Sequence, residues 1–173
     1  MDERELVERL KKGDRVAQEY LVRVTQDFLF NSLLQVCHDR HIAEDIVVET
    51  YINAFRYIKG FKGESRIETW LYRIARNELK KYFDKMNRVD LRDDLKSEEK
   101  EAYFLEDDRK DMLYEAMGRL DVHEREIITL VDVEGLSYEE VRDLLAIPLG
   151  TVKSRLTRAR EKLRSILKEF GYF

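Results

Sequence analysis

A chain of 173 residues has room for one ordinary domain or two small ones, and 43% hydrophobic residues can build a core, which excludes wholesale disorder. One proline, seven glycines and few alternating β-branched runs read as an all-α protein; the lone Cys37 excludes an internal disulfide framework, and no apolar run approaches the roughly 18 residues of a membrane span. The net charge of −4 argues against a nucleic-acid partner only until its distribution is seen: residues 56–87 carry nine Lys/Arg against four Asp/Glu, and 150–168 carry seven against one. A charged start that is no signal peptide and a reduced thiol fit a cytoplasmic protein, and no cofactor is expected.

In chain order, Asp2 is placed to cap a short helix through Leu10, and Gly13 and Asp14 end it and cap the next. Over 15–36 the apolar residues Val16, Tyr20, Val24, Phe28, Leu29, Leu33 and Val36 recur at helical spacing, predicting a core helix with a bend near Thr25. The next helix, 42–58, buries Ile46, Val47, Tyr51, Ala54, Phe55 and Ile58. Its other face aligns Asp45, Glu49, Ile52 and Arg56, with Val48 beside them. Two apolar side chains among charges suit a partner-docking face, or a solvated face with a stray isoleucine.

The stretch 61–83, FKGESRIETWLYRIARNELKKYF, begins as a loop. Ser65 and Glu68 then fit a capping box that starts a helix. Leu71, Ile74, Ala75, Leu79 and Tyr82 share one face, while Arg73, Arg76 and Lys80 stack on another beside Asn77, with Trp70 at the helix start. A basic stripe beside aromatics can hold a nucleic-acid backbone while bases stack. An amphipathic helix with core aromatics gives the same pattern, so both readings stand.

Residues 88–111 hold ten acids and few apolar side chains, the composition of a connector that cannot fold alone. Beyond it, Met112, Leu113, Ala116, Met117 and Leu120 form a helical face. Asp121 with Glu124, and Ser137 with Glu140, are two further capping boxes. The first opens a helix through Val133 that stops at Gly135. The second opens a helix carrying Val141, Leu144 and Leu145. Ile147-Pro148-Leu149-Gly150 then turns the chain into a long helix over 151–168.

Short helix, turn and basic helix make the pattern of a helix-turn-helix DNA reader. Val152, Leu156, Ala159, Leu163, Ile166 and Leu167 face inward. Opposite lie Ser154, Thr157 and Arg158, with Thr151 and Lys153 at the N-terminal margin, where side chains reach base edges. Arg155, Arg160, Lys162 and Arg164 flank them at phosphate positions. Ser137 and Tyr138 open the preceding helix, whose amides are placed to hold a phosphate. A coiled-coil-like basic helix explains this less well, because a merely solvated face mixes signs.

Four stretches in this order resemble the sigma-70 family of bacterial transcription initiation factors. They are AEDIVVETY at 43–51, FKGES at 61–65 with TWLYRIARN at 69–77, GLSYEE at 135–140, and GTVKSRL at 150–156 with Arg158, Ala159 and Arg160. The length is that of the extracytoplasmic-function subgroup, which keeps the second and fourth sigma regions. The resemblance implies a region 2 helical domain over 1–87, an acidic linker over 88–111 and a region 4 helix-turn-helix domain over 112–173. It implies that Asp45, Val48, Glu49, Ile52 and Arg56 dock on the clamp helices of the largest core RNA polymerase subunit. Val48 stands where the family often has glutamine. Phe61, Lys62, Ser65, Arg66, Thr69, Trp70, Arg73, Arg76, Asn77 and Lys80 are then expected to recognise and open the −10 element. Ser137, Tyr138, Thr151, Lys153, Ser154, Arg155, Thr157, Arg158 and Arg160 are expected to read the −35 element.

The implied partners are core polymerase, including the flap of its second-largest subunit, promoter DNA and an anti-sigma factor; the free chain is expected to be a monomer away from membranes. The protein is then a non-catalytic specificity subunit. A stand-alone helix-turn-helix regulator explains the C-terminal half equally well but leaves 61–83 without a purpose. A catalytic pair at Asp45 and Glu49 lacks partners, and a zinc site at Cys37, His38 and His41 lacks a completing cluster. The acidic stretch 112–149 is also able to pair with a basic one and mask it in the free protein.

Overall fold

Short acceptor side chains set four of the helix starts. Asp2 Oδ1 accepts from the Glu5 N–H at 2.8 Å and opens α1 (Glu3–Lys11). Gly13, at φ +76°, ends it. Asp14 Oδ1 then accepts from the Val16 N–H at 2.9 Å and the Ala17 N–H at 3.3 Å to open α2 (Arg15–Cys37). A hydrogen bond from Arg9 Nε holds the Asp14 carboxyl below its ordinary range.

This computed structural model describes residues 2–90 and 108–172, with side chains over 2–86 and 110–172. After α2 come α3 (Arg40–Tyr57), a 3₁₀ turn (Ile58–Gly60) and α4 (Ile67–Asp90). Beyond the undescribed stretch follow α5 (Asp108–Gly118), α6 (Val122–Ile128), a π-helical turn (Thr129–Val133), α7 (Tyr138–Leu145) and α8 (Leu149–Glu169). The fold is all-α, with no strand among the described residues. Most of the expected acidic linker lies outside them. Its described ends are helical, 88–90 finishing α4 and 108–111 starting α5.

The chain forms two compact units. The first takes 2–33 and 40–90 of the described residues, the second 34–39 and 108–172. In the first, α3 packs along α4, and α1 lies against the 3₁₀ turn. The apolar stripe of α2 holds in its C-terminal half and shifts in its N-terminal half. Leu29, Leu33 and Val36 are buried as expected, whereas Val16 and Val24 are 61% and 51% exposed and Ala17 and Leu21 are buried in their place. Thr25, at the expected bend, lies inside a continuous helix. Its hydroxyl bonds the Leu21 carbonyl and the Tyr51 phenol, both at 2.7 Å, joining α2 to α3. A buried hydroxyl pair of this kind meets the need for a partner that burial imposes.

In the second unit both capping boxes form as expected. Asp121 Oδ1 accepts from the Glu124 N–H at 2.9 Å while Glu124 accepts from the Asp121 N–H at 2.8 Å, and Ser137 and Glu140 repeat the exchange. The helix from Val122 does run to Val133, but its last turn widens: the Glu134 N–H reaches back five residues to the Thr129 carbonyl, at 2.9 Å, before Gly135 at φ +68°. The turn between α7 and α8 is shorter than expected. Ala146 takes the left-handed conformation at φ 53° that usually selects glycine, Pro148 is the N-cap of α8, and Leu149 and Gly150 already belong to its first turn. Val152, Leu156 and Ala159 anchor α8, each at most 1% exposed; cutting Leu156 to Ala costs about 2–5 kcal/mol.

Candidate nucleic-acid interface

Anchored through Val152, Leu156 and Ala159, α8 turns a polar face outward. Lys153, Ser154, Arg155, Thr157 and Arg158 are exposed, and Thr151 is half-buried at the helix start. Thr157 Oγ1 donates to the Lys153 carbonyl at 3.0 Å and Arg158 Nε to the Ser154 carbonyl at 3.3 Å, so both side chains lie back along the helix. Helical geometry thus brings together seven of the nine residues assigned to −35 reading, counting Arg160 farther along. Ser137 and Tyr138 join them from the N-terminus of α7.

Three of these groups pair with other side chains. Arg160 forms a two-pronged ion pair with Asp132 on the π turn, its Nε 3.0 Å from Oδ2, and this bond raises the pKa of the guanidinium. Tyr138 adds to the same effect. Ser137 gives its hydroxyl and its N–H to Glu140 Oε2, at 2.9 and 2.8 Å. With Glu139 and Glu140 in the first turn of α7, that terminus is already supplied with negative charge and is a poor phosphate cradle. Lys162 Nζ likewise meets Glu124 Oε2 at 2.7 Å. The expected pairing of the acidic 112–149 stretch with a basic one therefore occurs, within this unit, at Asp132–Arg160 and Glu124–Lys162. Periodicity could not disclose these partners, 28 and 38 residues apart.

In the first unit, α4 begins at Ile67, one residue later than a Ser65 cap requires. The Trp70 N–H bonds the Arg66 carbonyl at 3.1 Å, and the Ile67 N–H is taken by Glu3 Oε1 from α1 at 2.8 Å. Phe61 and Thr69 are 4% and 5% exposed, so they brace the loop and do not face outward. Trp70 is half-buried, its ring 5.2 Å from that of Phe61 and tilted 50°. Lys62, Arg66, Asn77 and Lys80 are exposed, while Ser65, Arg73 and Arg76 are half-buried. Gly63, at φ +74°, lets the loop turn. A recess of about 700 Å³ lies between this loop and α1, lined by Glu3, Val7, Lys11, Phe61, Lys62 and Arg66 among others.

On α3, Val48 and Ile52 are 57% and 45% exposed, and Asp45, Glu49 and Arg56 surround them in the open. Cys37 is of another kind. Burial pushes its thiol up to about 11, and Sγ donates to the Asp39 carbonyl at 3.2 Å, so it is an inert thiol at neutral pH. Among the described residues no group of three or more His, Cys, Asp or Glu is arranged to hold a metal ion, and no helix is long and apolar enough to cross a membrane.

The family model for sigma-70 region 2 matches residues 21–89, and that for sigma-70, region 4 matches 110–163. The RNA polymerase sigma-H factor of Pseudomonas aeruginosa is 32% identical, covering 96% of this chain and 94% of its own. The chain belongs to the sigma-70 family. Among other relatives of this sigma factor, the extracytoplasmic-function sigma-E factor of Haemophilus influenzae is 34% identical over 92% of each chain. The sigma factor RpoE of Bartonella quintana, solved in complex with the anti-sigma factor NepR, superposes with a TM-score of 0.77 at 26% identity, over 87% of this chain and 96% of that one. CnrH, solved with the cytosolic domain of CnrY, shares the fold at a TM-score of 0.72 and 23% identity, over 96% and 97%. α7 and α8 up to residue 163 lie inside the region 4 match, and α3 and α4 inside the region 2 match, α4 but for its last residue.

Proposed function

We propose that this sigma factor binds core RNA polymerase and directs it to promoters, reading the −35 element with α8 and opening the −10 element with the loop 61–66 and α4. The exposed cationic face of α8 on a buried apolar ridge carries this reading. Lys153, Arg155 and Arg158 stand clear of the acidic partners that hold Arg160 and Lys162. An arginine can read a guanine with two hydrogen bonds, and a threonine methyl can pack on a thymine methyl. On α4, Arg73, Arg76, Asn77 and Lys80 face the strand backbone, and Lys62 and Arg66 project from the loop beside them. Phe61, Thr69 and Trp70 support that loop, Trp70 keeping one edge open to an unpaired base.

The Val48–Ile52 patch, rimmed by Asp45, Glu49 and Arg56, docks on the clamp helices of the largest polymerase subunit, and the second unit docks on the flap of the second-largest. The protein supplies specificity and no bond-making chemistry of its own. An anti-sigma factor controls it, in the way that NepR is held by the Bartonella sigma factor. A pull-down with core polymerase tests the docking claim: Ile52→Asp abolishes capture while leaving the fold intact, because the side chain is exposed. Undiminished capture of that variant removes α3 from the interface.

A further inference from the structure

The first amides of a helix have no partner within it, and the first of α4 finds one 64 residues away in the sequence. Glu3 Oε1 accepts from the Ile67 N–H at 2.8 Å. Its carboxylate also stands at the positive end of the α4 dipole, where an anion is favoured. The helix that bears Glu3 is itself fixed: Leu6, Val7 and Leu10 are buried, and Asp2 caps its start. The contact is therefore a strut between an anchored element and the first residue of α4.

The loop that precedes α4 is pinned at both ends. Phe61 is buried against Trp70, and its N–H bonds the Ile58 carbonyl at 3.0 Å. Ile67 is 3% exposed and held by Glu3. Between these pins only 62–66 projects, carrying the exposed Lys62 and Arg66. Moving the second pin changes where Lys62 and Arg66 stand relative to Arg73, Arg76 and Asn77 on α4. Ser65, the residue whose type promises a cap, lies one position too early to perform it.

We propose that Glu3 is a positioning residue for promoter opening: its carboxylate holds the start of α4 and so sets the register of the 62–66 loop against the strand-facing side chains of that helix. The inference rests on the −10 role proposed above. It assigns part of strand opening to a residue on α1, outside the region 2 match at 21–89.

The test pairs two templates and three variants in holoenzyme made with core polymerase. One template is a fully duplex promoter, the other the same promoter with a pre-opened bubble at the start site. Glu3→Ala is expected to cut initial transcription from the duplex about fivefold, the usual worth of a helix cap, and to leave the bubble template unaffected. Glu3→Gln, which keeps an acceptor oxygen, is expected to recover most of the loss. Glu3→Asp, one methylene short, is expected to behave like Glu3→Ala. Amide exchange at Ile67 in the free chain should quicken in Glu3→Ala and Glu3→Asp. Equal losses on both templates, or none on either, overturn the proposal, as does unchanged Ile67 exchange. A wild-type holoenzyme that makes no promoter-dependent transcript defeats the −10 reading itself and takes this inference with it.

Discussion

Replacing Asp132 by Asn should tighten promoter binding and steepen its salt dependence. Asp132 and Arg160 form a two-pronged pair whose side chains are 36% and 47% exposed. A pair so open to water contributes about 0–1 kcal/mol to folding, and asparagine still accepts one of the two hydrogen bonds, so the second unit should survive with little loss. What changes is the counter-charge on α8. Each phosphate neutralised adds roughly 0.9 to the slope of log affinity against log salt. One cation released to the backbone is therefore worth about eightfold in affinity at ~0.1 M salt, measured from a ~1 M reference. The assay is fluorescence anisotropy of holoenzyme on a labelled duplex bearing the −35 element, titrated at several salt concentrations. The expected result is a slope steeper by about 0.9 with the melting temperature held within a degree or two. An unchanged slope with an unchanged melting temperature refutes a phosphate-side position for Arg160. A lowered melting temperature with weaker binding would instead make the pair a strut of the fold.

Arg158→Ala should relax base preference within the −35 element and cost about 1–3 kcal/mol if its guanidinium is bidentate to guanine, as read by selection from a randomised site. Trp70→Ala should do two things at once. Losing the Phe61 contact lowers stability, and losing a stacking surface of about 1–3 kcal/mol suppresses permanganate reactivity of −10 thymines; wild-type reactivity would remove Trp70 from strand opening. For Cys37 the folded state holds its proton to about 11, above the ordinary 9.0, so its contribution is intact below pH 9 and lost as pH rises through 11. Between those limits the wild type should lose about 2 kcal/mol more than Cys37→Ala in urea melts, and parallel curves would contradict that burial.

Local signals carried over to the structure where short-range chemistry decides. Asp2, Asp121 and Ser137 sit at the helix starts their types suggest, because a cap needs only partners three residues away. The inward ridge of α8 followed from a clean 3.6-residue period with small and branched apolar residues on one side. The face of α2 followed only in its second half, where Leu29, Leu33 and Val36 are buried; Val16 and Val24 share a spacing with the core but point outward, while Ala17, Leu21 and Thr25 face in. Ser65 and Glu68 had a capping spacing, yet α4 starts at Ile67 because Glu3 supplies the acceptor from outside the local sequence. The site shows the same division. Charge clustering located α8 and α4. Which cations are spoken for depends on Asp132 and Glu124, whose partners lie 28 and 38 residues on, and no local pattern encodes that. Phe61 and Thr69 carry the −10 assignment that the family resemblance implies, yet both are buried.

The claim that matters most is that this chain confers promoter specificity on core polymerase, and run-off transcription tests it directly. Core enzyme with the purified chain, offered genomic fragments, should yield discrete transcripts from fragments sharing paired −35 and −10 sequences, and should yield none with core alone. Transcripts that do not depend on the added chain would contradict the claim. So would specific duplex binding by the chain without any association with core.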